Sequence, residues 1–434
     1  MAKKAPDVSD KFVRKINYGL KHLALTKAIY QPSFEDFHAG LLGRELQFKS
    51  GARFYFTEFG MGHLRTLNQA LVDSGVFGNR VDAEDIWQAV WAVLKSLFAK
   101  DQIPDSGAEL IGLAKAKLHH QVQTRTFILP FFGIEFEQVT DFPLGEMRLI
   151  QPDVGYFTAQ GLEPGFKELP GWVEHHRGLL WITGKKVGSA RVAERDFRTA
   201  ADATSGLLAV MSATALEEGA SRFRIGVGQY GGPGRGGETW FSWSESPDSL
   251  SITSGGAHRP SVPIDPEFRR KILEATLFQK ALSIIHSDKR TDLEESIARG
   301  LHWFADAQRD PVPVMQFVKY WSCIEVFFSE QNEEITKSVS AGIAAVLVFG
   351  GLGVVPEADY TKTKTRVTQL YKKRSKAVHG ASREHVTTRD IVDLSRYAAW
   401  LLVNMLSMSE RGYRDRKPIK AISMRLDEES SALK

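Results

Sequence analysis

The chain is poor in cysteine, in long apolar runs and in charge of one sign, and each shortage removes a class of function. One cysteine, Cys323, stands among 434 residues, so neither an internal disulfide nor a cysteine-built zinc site can form. A reducing, cytoplasmic compartment is the expectation. The longest apolar run, Ala341 to Val355, is 15 residues and carries four glycines, against the roughly 20 needed to cross a bilayer. No membrane partner is expected. The N-terminal Met-Ala-Lys-Lys-Ala-Pro-Asp lacks the apolar stretch of an export signal. Lys plus Arg number 56 against 52 Asp plus Glu, too near balance for the whole surface to bind a polyanion. A nucleic-acid site must then be a local patch.

With 43% hydrophobic and 25% charged residues, the composition fits a soluble chain of a few domains. Residues 1–120 read as mostly helical: Asp82 caps a run in which Ile86, Trp87, Val90, Trp91, Leu94, Leu97 and Phe98 recur at helical spacing. Residues 121–262 read as α+β, with strand-like runs at 124–136, 179–183, 221–229 and 239–243 and a helix near 193–213. Three prolines between Ser254 and Pro266 mark the second boundary. Residues 263–412 then predict helices over 268–285, 292–308, 314–330, 336–349, 360–379 and 388–409, joined by short breaks as in a bundle of antiparallel neighbours. Residues 413–434 read as a polar, fraying tail. The fold class is thus α+β multidomain, with an all-α C-terminal bundle.

Several motifs fail their context. Gly226-Val-Gly228-Gln-Tyr-Gly231 has dinucleotide spacing, but that fingerprint needs a helix next. A further Gly/Pro cluster and then Thr239-Trp-Phe-Ser-Trp stand in the helix's place, so a hairpin loop is expected. Gly178 to Lys185 has the wrong spacing for a phosphate loop, and Lys186 stands where Ser or Thr is required. Among twelve histidines, 119/120 and 175/176 are adjacent and no two stand four apart, so no helical metal pair is formed. No Gly-x-Ser-x-Gly is present. Neither a metal nor a cofactor is expected.

One constellation remains. Between Thr361 and Lys376 lie seven basic residues and no acid, either a solvated helix face or a polyanion patch. It ends in Tyr371-Lys-Lys-Arg374-Ser-Lys-Ala-Val-His379-Gly380. Gly380 is placed to close the helix, which puts His379 in its last turn; the helix dipole favours the imidazolium there and the neighbouring lysines oppose it. Upstream, Tyr320-Trp321-Ser322-Cys323-Ile324-Glu325-Val326-Phe327-Phe328 is an apolar helix with one carboxylate. Glu325 is either buried and in need of a partner, for which Arg374 is the obvious choice, or on an exposed stripe.

These two segments resemble the HEPN domain, in particular its Apea-like branch, marked by aromatic-Trp-x-x-Ile/Leu-Glu and a later Arg-x4-His-Gly. The resemblance covers roughly residues 268–410, and departs from the pattern at Gly342, where a larger, often basic residue is expected. It implies a HEPN-like bundle and metal-independent cleavage of RNA, tRNA being one candidate, by an anti-phage or stress toxin. It also implies a homodimer through the C-terminal helices. In this reading Arg374 and His379 are catalytic, Glu325 orients one of them, and Lys372, Lys373 and Lys376 hold the RNA backbone. Tyr371 either stacks on a base or packs in the bundle. The N-terminal regions would sense a phage-derived or small-molecule trigger. The alternatives are an inactive RNA-binding or dimerising module, and an N-terminal sensor for which the helices only dimerise.

Overall fold

The computed structural model describes residues 9–23, 28–30, 45–47, 53–159, 171, 173–174, 178–215, 223–228, 238–242, 251–255, 261–329, 335–379 and 386–432. The chain is mostly helical, with a small, largely antiparallel sheet in its middle. Among the described residues no helix is long and apolar enough to cross a membrane.

It divides into two compact units, residues 1–126 with 185–197, and residues 127–184 with 198–434. In the first unit α1 (Asp10–Leu23) leads into strands β1 (Ile29–Tyr30), β2 (Glu45–Gln47) and β3 (Arg53–Phe56), which pair antiparallel in the order β1-β3-β2. Helices α2 (Glu58–Asp73), α3 (Ala83–Phe98) and α4 (Gly107–His119) come after them. Asp82 caps α3 as expected, in a capping box with Asp85. Ile86, Val90, Trp91, Leu94 and Phe98 of its apolar face are buried against Leu64 and Leu67 of α2 and Leu110 of α4, among others. The small sheet was not expected; its strands are two to four residues long, below the length at which alternation can be read.

The larger sheet, most of whose residues belong to the second unit, runs β6 (Asp141–Leu144), β7 (Met147–Ile150), β8 (Leu180–Gly188), β4 (Gln123–Phe132), β9 (Gly226–Val227), while β5 (Ile134–Phe136) lies between β4 and β6 in sequence. Helix α5 (Val154–Ala159) precedes β8, and α6 (Ala190–Ala215) comes after it. Strands β10 (Glu238–Ser242) and β11 (Ser251–Gly255) pair antiparallel with each other. Strand β9 pairs with β4; the hairpin loop expected of the glycines falls on residues 229–237, which lie outside the described residues.

The boundary expected between Ser254 and Pro266 does not divide the units. Strand β12 (Val262–Ile264) pairs parallel with β5, and Arg269 reaches Asp141 at 3.2 Å. Further on, the Gln308 amide donates to the Phe223 carbonyl at 2.8 Å and accepts from Ile225 N–H at 2.9 Å. The sheet and the helices after it therefore share one unit. Proline removes a ladder donor but still permits an edge strand.

The helices are α7 (Pro266–Glu274), α8 (Thr276–His286), α9 (Asp292–Arg309), α10 (Pro313–Phe328), α11 (Ile335–Phe349), α12 (Tyr360–His379), α13 (Thr388–Glu410) and α14 (Arg416–Ala432). One helix was expected over 268–285; the chain breaks it at Ala275, which is extended at φ −71° and ψ 114°. The last residues form a packed helix, not a fraying tail. Arg416 binds Asp292 through Nε and Nη2, both at 2.9 Å. Asp427, 3% exposed, accepts from the Tyr360 hydroxyl at 2.9 Å and from Lys364 at 2.5 Å. Helices α9, α10 and α13 pack on one another, and α11 lies against α12, α13 and α14. At Gly342 the Phe328 ring stands 2.5 Å from where a Cβ would lie, so this aromatic occupies the space a larger residue would need.

Candidate functional site

Helix α10 begins at Pro313, whose missing N–H costs nothing in a first turn. Its Phe317, Tyr320, Trp321, Cys323, Ile324, Phe327 and Phe328 are buried, so Glu325 stands among core residues, with 19% of its side chain exposed. Helix α12 carries the basic run, and its Val367, Leu370 and Tyr371 face the core. The two helices pack together and bring Arg374 Nη2 to 3.2 Å from Glu325 Oε2. The partner expected for the buried acid is the one it has.

The pair is single-pronged. Glu325 Oε1 and Arg374 Nε are buried with no hydrogen-bond partner among the described residues, whereas an arginine fork can bond a carboxylate twice. Burial pushes the Glu325 carboxyl above the usual carboxylate range, and the Arg374 charge and the Tyr371 hydroxyl pull it back only in part. The guanidinium carbon also lies 5.7 Å from the Tyr371 ring centre, within reach of a cation–π attraction.

Tyr371 is 8% exposed and meets the Trp321 ring edge-on, with centres 5.1 Å apart. Of the two uses expected for it, packing is the one realised; a buried ring is not a platform for a base. Burial also raises the Cys323 thiol, so this cysteine is an inert core residue.

The basic residues divide. Lys372 and Lys376 are exposed on α12. Lys373 instead donates to Asp390 Oδ2 at 2.6 Å, so the expected RNA-backbone contact is an internal ion pair here. Asp390, 1% exposed, also receives Arg366 at 2.9 Å and the backbone N–H and hydroxyl of Thr387, its own helix cap. Burial alone would raise the Asp390 carboxyl, but the bonds from Lys373, Thr387 and Arg366 together hold it down at about 2. This anchor was missed in the sequence, although Thr387-x-x-Asp390 is spaced as a capping box.

His379 is the last residue of α12; its side chain, and Gly380 after it, lie outside the described residues. It stands five positions after Arg374, about 7.5 Å along a helix axis and about 140° around it. The site thus consists of a guanidinium held by a half-buried acid, exposed lysines on the same helix and a histidine position at the helix end. Comparison with protein-family models, curated proteins and solved structures finds no match to this chain.

Proposed function

We propose that the C-terminal helices form a HEPN-type, Apea-like domain, and that the protein is a metal-independent endoribonuclease acting as an anti-phage or stress toxin. The observation that carries this reading is the Arg374–Glu325 pair at 3.2 Å, which joins the two segments that bear the family's motifs. In the reaction, a ribose 2′-hydroxyl attacks the neighbouring phosphorus, the 2′-oxygen loses its proton, and the bond to the 5′-oxygen breaks as that oxygen gains one. A 2′,3′-cyclic phosphate and a 5′-hydroxyl result. His379 serves as acid or base, because imidazole titrates nearest neutrality. Arg374 supplies fixed donors to the phosphorane oxygens, positioned by Glu325, and Lys372 and Lys376 hold the backbone.

One histidine cannot easily be acid and base in the same step, and Arg374 and His379 are set well apart around α12. Both points favour a homodimer that offers one phosphate groups from two chains. The first unit and the sheet then sense the trigger that releases activity. A second reading, RNA binding without turnover, is favoured by the engagement of Arg374 with Glu325, which leaves its guanidinium less free for a phosphate.

The test is incubation of the purified protein with total RNA in EDTA, beside Arg374→Ala and His379→Ala. Positioned acid–base help is worth about 10² to 10⁴ in rate and one oxyanion donor about 10² to 10³, so each variant is expected to lose at least about 100-fold. Binding retained by the wild type with no cleavage, and no toxicity in cells above that of His379→Ala, would favour the second reading.

A further inference from the structure

Beside the basic face of α12 runs a groove of about 630 Å³, bounded by α12, α13 and the turn after α11. Leu347, Val355, Tyr397 and Trp400 give it apolar and aromatic walls, and four cations line it against two acids. The acids are occupied: Asp393 receives Arg366 at 2.7 Å and Arg389 at 3.0 Å, and Asp359 lies 3.9 Å from Lys362. Arg396 is exposed and has no acidic partner among the described residues. Tyr397 and Trp400 are half-buried, so part of each is left open.

The neighbouring face of α12 adds direction. Lys362, Thr365, Gln369, Lys372 and Lys376 are all exposed and alternate in steps of three and four, which sets them in one stripe along the helix. From Lys362 to Lys376 the stripe runs roughly 21 Å at about 1.5 Å per residue, and position 379 is its next step. Thr365 and Gln369 belong both to the stripe and to the wall of the groove. A cationic track beside an aromatic slot is the arrangement that holds an unpaired strand: the phosphates track the charge and splayed bases stack in the slot. Duplex bases are already stacked and cannot enter.

We infer that the groove between α12 and α13 binds single-stranded RNA, with bases against Trp400 and Tyr397 and phosphates on Lys362, Arg396 and the α12 stripe leading to His379. This deepens the ribonuclease reading and rests on it: the substrate is unpaired RNA, delivered along α12 to the helix end.

The experiment is fluorescence anisotropy in EDTA with the full-length His379→Ala protein, so that the probe survives. The probes are a labelled mixed-sequence 12-nucleotide RNA, the same RNA annealed to its complement, and polyglutamate as competitor. Expected are tighter binding of the single strand than of the duplex, and a loss of about tenfold or more on Trp400→Ala, since one base stacked on an aromatic is worth about that factor. Arg396→Glu, an exposed change that leaves the core alone, is expected to weaken binding to a similar degree and to reduce its salt dependence. Unchanged affinity in Arg396→Glu and in folded Trp400→Ala overturns the groove while leaving the ribonuclease reading intact. So does equal affinity for duplex, or competition by polyglutamate at matched charge, the latter pointing to an acidic protein partner. Absence of binding overturns the groove alone if the wild type cleaves RNA in EDTA, and overturns both if it does not.

Discussion

Arg374 reaches from α12 to set Nη2 3.2 Å from Oε2 of Glu325 on α10, while among the described residues Glu325 Oε1 and Arg374 Nε are buried without hydrogen-bond partners. The pair is thus both a helix-to-helix tie and a guanidinium held with spare capacity.

Removing either partner leaves the other polar group in a largely closed site. Glu325→Ala and Arg374→Ala are each expected to cost about 1–3 kcal/mol, read as a lower midpoint in urea unfolding. The double variant is expected to cost less than their sum, because residues in contact couple. Additive losses would show that the contact contributes nothing to stability.

The Asp390 and Glu325 carboxyls are expected to bend stability in opposite directions with pH. Asp390 is held at about 2, below its unfolded value, so its contribution is complete above about pH 5 and lost as pH falls through 2, roughly 2 kcal/mol in all. Asp390→Asn flattens that acid limb. Glu325 is raised, so its contribution is fullest below the ordinary carboxylate range and is lost as pH rises through its folded value. Glu325→Gln removes that second fall. Chemical denaturation of the wild type and both variants from pH 2 to pH 8 measures both limbs.

The seat of α6 on α9 depends on a glycine. A Cβ at Gly206 would lie 2.0 Å from the Leu301 carbonyl oxygen, and both belong to the second unit. Gly206→Ala forces the helices apart and is expected to cost about 1–3 kcal/mol or more, despite the better helix propensity of alanine. A thermal melt within a degree of wild type would mean that the close approach is not needed.

Helix α14 is expected to be part of the bundle's stability. Asp427→Ala strands the Tyr360 hydroxyl and the Lys364 ammonium, and the loss of one buried polar partner costs about 1–3 kcal/mol. Residues 416–432 are expected to resist limited proteolysis; rapid cleavage there without loss of the remaining fold would contradict this.

How far the sequence could be read depends on which signals are local. The apolar spacing in 292–309, 313–328, 360–379 and 388–410 marks those helices directly, since their buried faces are mainly apolar. Helix α14 hides from the same test because its buried face is Ile419, Ser423 and Asp427, one apolar residue and two polar ones, of which Ser423 donates to the Ile419 carbonyl of the same helix and Asp427 takes its partners from α12. The break at Ala275 has no glycine or proline to announce it. The boundary drawn between Ser254 and Pro266 does not separate the two units, because the pairing of β12 with β5 joins segments far apart in sequence. At the site, the Arg374 and Glu325 partnership was legible because a lone acid in an apolar helix demands a cation. The use of Lys373 was not: its partner Asp390 looks like any helix-start acid until the fold brings the two together.

The most direct measurement of the central claim is the chemistry of the ends that the protein leaves on RNA in EDTA. Mass spectrometry of the products is predicted to find 2′,3′-cyclic phosphate and 5′-hydroxyl termini, absent from a parallel reaction with His379→Ala. Products ending in 3′-hydroxyl and 5′-phosphate, or cyclic ends formed equally by His379→Ala, would contradict a cleavage site built on Arg374 and His379.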